Sequence, residues 1–250
     1  VDFVRRVSEH GVTERGFVLR VGDAPVPGIV WSPEGATGPR PLILIGHGGT
    51  QHKRADNVLA LARSLVRHRG YAAVAIDAPG HGDRGTPEAM ARLREQIVSG
   101  QFGPEQRFRM AERATMAAAE WKATIDAMEL LPEIGRGPLG YWGLSMGTAF
   151  GTRFISTEPR VKCAVLGLYG MRLDDEALEH AARRITVPLL CLFQVNDELV
   201  PLKFGLALFA AFGSEIKTAH LNPGRHVEVP AFEREYYETF FVRHLGAAAH

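Results

Sequence analysis

Ser145 stands in the pentapeptide Gly143-Leu144-Ser145-Met146-Gly147, between an apolar run that predicts a strand over 138–142 and a small-residue run that predicts a helix from 148. A serine on a tight strand-to-helix turn has its hydroxyl pushed out of the backbone. The first free amides of the following helix lie beside it, ready to hold an oxyanion as it develops. Glycines two residues before and two after suit a strained turn where neighbouring backbone passes too close for a side chain. That chemistry is acyl transfer, and it needs a base, an acid to orient the base, and a second oxyanion donor.

The candidates come from the residues that follow each predicted strand, because the ligand site of an open parallel sheet lies outside the carboxyl ends of its strands. After the apolar run 41–45 comes Gly46-His47-Gly48-Gly49-Thr50; after 189–194 comes Asn196-Asp197; after 216–221 comes Pro223-Gly224-Arg225-His226. An imidazole titrates near neutrality, so His226 suits the task of taking the serine proton. It alone of the ten histidines follows the last predicted strand and precedes the last predicted helix. Asp197 would accept from the other ring nitrogen, although Glu198 beside it is a second carboxylate within reach. Backbone amides of Met146 and Gly49 are the expected oxyanion donors, with Gly48 the alternative to Gly49.

These residues need a scaffold, and the chain predicts one. Short β-rich runs at 41–45, 72–77, 139–142, 163–168, 189–194 and 216–221 alternate with helical patterns at 56–68, 105–131, 148–157, 174–184, 202–212 and 231–245. Apolar strands alternating with helices predict an α/β fold with a mostly parallel sheet buried on both faces. Ahead of it, 17–21 and 28–31 flank a turn-rich stretch and predict an antiparallel hairpin, which brings the sheet to about eight strands. Asp56 and Asp174 are the expected N-caps of their helices. The segment 83–104 breaks the rhythm and reads as a loop or a small lid.

Composition bounds the rest. The 250 residues are 46% hydrophobic and 23% charged, enough for one large core, and 1–250 is read as a single domain. Twenty-nine Lys plus Arg against 28 Asp plus Glu give a charge of +1, with no field suited to nucleic acid or an anionic membrane. Cys163 and Cys191 fall inside predicted strands and read as reduced core residues. No apolar run reaches the ~18 residues of a membrane span and no signal peptide is apparent, so a soluble cytoplasmic protein is expected, with a leader removed before Val1 left open. His47 and His81 lack ligand-spaced partners for a metal site. His47 is expected to orient the oxyanion loop and His81 to brace the turn after 72–77.

With HGGT at 47–50, DAPGHGD at 77–83, GLSMG at 143–147, NDELVP at 196–201 and PGRHVEVP at 223–230, the chain resembles the α/β-hydrolase superfamily over nearly its whole length. Within it the chain most resembles serine esterases related to the dienelactone hydrolases, which themselves carry cysteine at the elbow. The resemblance implies the α/β-hydrolase fold and a Ser145-Asp197-His226 triad in that family's chain order. It also implies hydrolysis of a small-molecule ester with no metal or organic cofactor. The stretch 169–187, where many relatives insert a cap, is too short for a large one.

Lactones, thioesters, amides and peptides are alternative substrates of the same triad. A non-catalytic small-molecule receptor on the same fold is the alternative from another class, and peroxide-dependent activity is a further one. Trp142, Tyr169, Met171, Phe102 and Phe108 flank strand ends or the 83–104 segment and are the expected substrate-binding residues. Arg84 and Arg225, near the expected mouth, are candidates to meet a substrate carboxylate.

Overall fold

The computed structural model describes residues 1–99, 104–172 and 174–248. One sheet organises them, with nine strands in the order β1-β2-β3-β5-β4-β6-β7-β8-β9. β1 (Asp2–Glu9), β2 (Val12–Val21) and β3 (Ala24–Pro33) form an antiparallel meander, and β3 pairs antiparallel with β5 (Ala72–Ile76). From β5 onward all neighbours are parallel: β4 (Leu42–Gly46), β6 (Leu139–Leu144), β7 (Val161–Gly167), β8 (Leu189–Gln194) and β9 (Lys217–Asn222).

β4, β5, β6 and β8 are buried along their whole length, which is why they read as unbroken apolar runs. β1 was not expected from the sequence. It is an exposed edge strand, DFVRRVSE, with no apolar face to mark it, and it enters the sheet through a two-residue turn at His10-Gly11, both at positive φ.

Helices cover both faces. α1 (Asp56–Arg69) and α7 (Glu233–Leu245) pack one side, where Val58, Leu65, Tyr237 and Phe241 join Ile43, Ile45 and Trp142 in one core cluster. On the other side lie α3 (Pro104–Glu129), α4 (Met146–Ile155), α5 (Glu176–Arg183) and α6 (Leu202–Ala211). There Trp121, Phe154, Leu178 and Leu208 pack on Leu44, Tyr141 and Cys191. Both cysteines are free, and burial pushes both thiols up, Cys191 to about 12. Two details of the helix starts differ from expectation. Ala55 is the N-cap of α1, and Asp175, not Asp174, caps α5 by accepting from Leu178 N–H.

The 83–104 segment contains a helix. α2 (Pro87–Val98) follows a 3-10 turn at Gly82–Arg84 and is capped by Thr86, whose side chain accepts from Ala89 N–H. Proline in its first turn suits a helix start. No residue of α2 is fully buried; Met90, Leu93 and Ile97, spaced three and four apart, form its half-buried face.

Candidate active site

β4, β6, β8 and β9 are parallel, so the residues that follow them gather along one edge of the sheet. Ser145 is held at φ 56°, ψ −119°, a conformation a non-glycine residue adopts only when its surroundings impose it. The constraint is visible: Ser145 N–H donates to Gly167 O at 2.8 Å, on the neighbouring strand. Thr148 Oγ1 accepts from Gly167 N–H at 2.7 Å and lies 2.7 and 2.6 Å from the carbonyls of Gly143 and Gly167. A Cβ on Gly147 would stand 2.4 Å from Gly46 O, and one on Gly143 would stand 2.7 Å from the Gly147 carbonyl. Both glycines are therefore required by close approach of α4 to β4 and β6. Thr148 carries no motif signal, and its bracing role emerges only from the fold.

Ser145 is half-buried, and its Oγ lies 3.0 Å from His226 Nε2. His226 Nδ1 lies 2.8 Å from Asp197 Oδ2. The other oxygen of Asp197 accepts from the N–H groups of Leu199 at 2.9 Å and Val200 at 2.8 Å, which locks the carboxylate with Oδ2 turned to the imidazole. That arrangement assigns the ring tautomer: Nδ1 carries the proton and donates to Asp197, and Nε2 accepts from the serine hydroxyl. Glu198 does not compete for the ring. Its Oε2 accepts from His226 backbone N–H at 2.9 Å.

The turn after β4 is organised by His47, which is 2% exposed. Its Nδ1 donates to Gly48 O at 2.8 Å and its Nε2 accepts from Ala78 N–H at 3.0 Å, so both ring nitrogens are used and the neutral form is required. Burial lowers its pKa to about 4, against a smaller opposing effect of the Gly48 carbonyl. His81 lies beside it, the two rings tilted by 53° with 5.4 Å between centroids, and burial lowers its pKa too. Gly48 N–H donates to Gln51 Oε1 at 3.0 Å, so both polar groups of the Gly48 backbone are committed. Beneath this turn, Lys53 Nζ meets Asp77 Oδ2 and Asp83 Oδ2 at 2.6 Å each, and Asp77 also accepts from the N–H groups of Lys53 and Asp83. The DAPGHGD stretch thus ties the turn after β5 to the turn after β4.

The expected substrate-binding residues divide. Tyr169 is half-buried beside a cluster of Ala78, Ala114, Ala117, Met146, Ala149 and Phe150, with Met110 4.0 Å from its hydroxyl. Met171 packs at the rim of the α3–α6 core. Trp142 is a correction: it is 3% exposed and packed against Tyr237 in the cluster under α1 and α7. Side chains alternate along a strand, and since Tyr141 faces α4, Trp142 faces away. Phe108 is 65% exposed on α3, and Phe102 lies outside the described residues. Arg84 is committed to Glu120 through two hydrogen bonds of 2.7 and 2.8 Å, and Arg225 lies 3.4 Å from Glu198.

Ile97 of α2 approaches from above: its Cδ1 lies 3.7 Å from where a Cβ on Gly49 would be, and Met146 Cβ lies 4.0 Å from the same point. Among the described residues no group of three or more His, Cys, Asp or Glu side chains could hold a metal ion, and no helix is long and apolar enough to cross a membrane.

A mixed sheet with parallel strands from β5 onward, a strained serine between β6 and α4, and an aspartate and a histidine after β8 and β9 define an α/β-hydrolase. Solved structures agree. The PEG-bound complex of a cold-adapted esterase from an Arctic intertidal metagenomic library is 37% identical, with 96% of this chain and 97% of that one covered and a TM-score of 0.79. The acetyl xylan esterase from Paenibacillus sp. R4 is 16% identical over 98% of this chain and 88% of that one, at a TM-score of 0.67. The dienelactone hydrolase from Anabaena variabilis is 18% identical over 94% and 100%, also at 0.67. These last two share the fold alone. No family model and no curated protein matches the chain. The chain belongs to the α/β-hydrolase superfamily, in the group that includes the Arctic cold-adapted enzyme.

Proposed function

We propose that this protein is a serine hydrolase that cleaves carboxylic esters of small to medium acyl chain through an acyl-Ser145 intermediate. The observation that carries the reading is the unbroken relay from Ser145 Oγ to His226 Nε2 at 3.0 Å and from His226 Nδ1 to Asp197 Oδ2 at 2.8 Å. The esterase named for the 37% identical structure favours an ester over other acyl substrates. A single sheet running from β1 to β9 supports treating 1–250 as one catalytic domain.

As Ser145 Oγ attacks the ester carbonyl, its proton passes to His226 Nε2, and Asp197 stabilises the imidazolium that forms. The carbonyl oxygen, now negative, is received by the N–H groups of Met146 and Gly49. Met146 is the first residue of α4, where an N–H has no acceptor within the helix. Gly49 is the better second donor because Gly48 N–H is already given to Gln51. Each such donor is worth about 2.7 to 4 kcal/mol in the transition state. His226 then returns the proton to the leaving alcohol, and a water deprotonated by His226 attacks the acyl-serine to release the acid.

Ile97 of α2 lies against Gly49, beside the expected oxyanion donor, which supports modest acyl groups.

The test is turnover of a p-nitrophenyl ester series, acetate to dodecanoate, by the wild-type protein and by Ser145→Ala. The wild type is expected to turn over acetate or butyrate fastest, and Ser145→Ala to lose about 10⁴-fold or more in kcat. Equal turnover by both proteins overturns the reading. No wild-type turnover on any ester, with turnover of a thioester, lactone or amide, moves the substrate class while keeping the triad.

A further inference from the structure

We propose that Glu198 is a positioning residue for the general base, holding His226 by its main chain while the preceding residue, Asp197, holds it by its ring. The proposal rests on the triad reading above.

Two consecutive carboxylates converge on one histidine. Asp197 Oδ2 takes the ring Nδ1–H at 2.8 Å and Glu198 Oε2 takes the backbone N–H at 2.9 Å. A histidine held only at the ring can still swing about χ1 and χ2 as its main chain moves; a second bond at the main chain removes that freedom. Because both carboxylates belong to the turn after β8, the base moves as one piece with its acid, and the 3.0 Å approach to Ser145 becomes a property of that turn.

The same turn grips the histidine loop at further points. Gln194 Nε2 donates to Arg225 O at 3.3 Å and Glu228 O at 2.7 Å, on either side of His226. Asn196 N–H donates to Gly224 O at 3.1 Å. Those bonds set the loop's path, but among the described residues only Glu198 bonds the histidine's own main chain.

Charge adds a second consequence. The groups facing His226 are Asp197 at the ring, Glu198 at the main chain, Arg225 at 3.4 Å from Glu198, and Glu228, whose carboxylate accepts from Arg225 N–H at 2.8 Å. Glu233 of α7 is turned instead to Asn222 and His220. The His226 N–H and then Glu198's own N–H lower the Glu198 pKa, against a lesser opposing desolvation, and the charges of Arg225 and His226 add smaller effects in the same direction, so it is ionised at neutral pH. An anion there favours the imidazolium that the reaction creates.

Glu198 is exposed, so its replacement leaves the core untouched. The experiment measures kcat, KM and the pH profile of kcat/KM on p-nitrophenyl acetate for the wild type, Glu198→Ala, Glu198→Gln and Ser145→Ala, with a thermal melt of each. Glu198→Ala is expected to keep its melting temperature and to lose about tenfold in kcat, with KM within about twofold, because the base is misplaced and binding is not. Glu198→Gln keeps an oxygen on the His226 N–H and is expected to recover to within about threefold of wild type. Its acid limb should lie below the wild-type one at low ionic strength, and the gap should close in high salt as the Glu198 charge of the wild type is screened. Wild-type kcat and an unmoved pH profile in both variants, with Ser145→Ala inactive, overturn the proposal and leave the triad standing. Turnover that survives Ser145→Ala overturns the triad reading and the proposal together.

Discussion

The two halves of the site are built by different physics. The serine half, at the junction of β6 and α4, is held by backbone packed against backbone: a Cβ on Gly147 would meet Gly46 O at 2.4 Å, and Thr148 spends its hydroxyl on β6 and β7. The base half lies toward the β9 edge of the sheet, on loops where Val195, Asn196, Glu198 and Val227 are exposed. There the order comes from side chains reaching to main chain, through Asp197, Glu198 and Gln194. Close packing admits almost no change of volume, whereas hydrogen-bonded loops can be altered one bond at a time. The framework around Ser145 should therefore fail by losing the fold, and the base half by losing the reaction.

The comparison breaks most sharply at Asp197. Asp197→Asn keeps the shape of the carboxylate and its Oδ1 contacts but presents the wrong partner to the imidazole N–H. A loss of about 10⁴-fold in kcat is expected with the melting temperature within a few degrees of wild type. A large loss of stability alongside would show that the base half is also a structural element, and the contrast would fall. Next comes Gly147→Ala, for which a destabilisation of about 3 kcal/mol is expected in a denaturant titration, since the clash is with a carbonyl oxygen and not with a flexible side chain. A near-neutral outcome there would mean that α4 can shift away from β4 and that the elbow is softer than its contacts imply.

The smallest effect, taken per pH unit, concerns acid. His47 is neutral in the fold with a pKa of about 4, below the ~6.5 of an unfolded chain. Between those values the unfolded chain binds a proton that the folded one refuses. Stability should fall as pH drops from about 6.5 toward 4, by up to about 1.4 kcal/mol per pH unit, with His81 adding in the same direction. Urea midpoints measured across that range test it, and His47→Gln should flatten the slope.

Local pattern carried the chain a long way. Buried parallel strands announce themselves as apolar runs, and the chemistry of this fold sits just past their ends, so Ser145, Asp197 and His226 could be picked by position in the chain, and the three side chains do meet. Strand β1 escaped because an exposed edge has no apolar face to read. Helix α2 escaped because its half-buried stripe is weak beside the polar residues around it.

The sequence by itself determined the alternation of strands and helices, the strained serine turn and the order of the three chemical groups, because each depends on residues close in the chain or on a fixed place in the topology. Only the tertiary structure decided that Trp142 turns from the site into the core beneath α7, that Gly48 spends its amide on Gln51, that Asp197 and not Glu198 meets the imidazole ring, and that Glu198 holds the main chain of His226. Those outcomes depend on which face a side chain presents and which loop lies opposite; Asp197 and His226, 29 residues apart in the chain, and Trp142 and Tyr237, further apart still, become neighbours only when the strands take their places in the sheet.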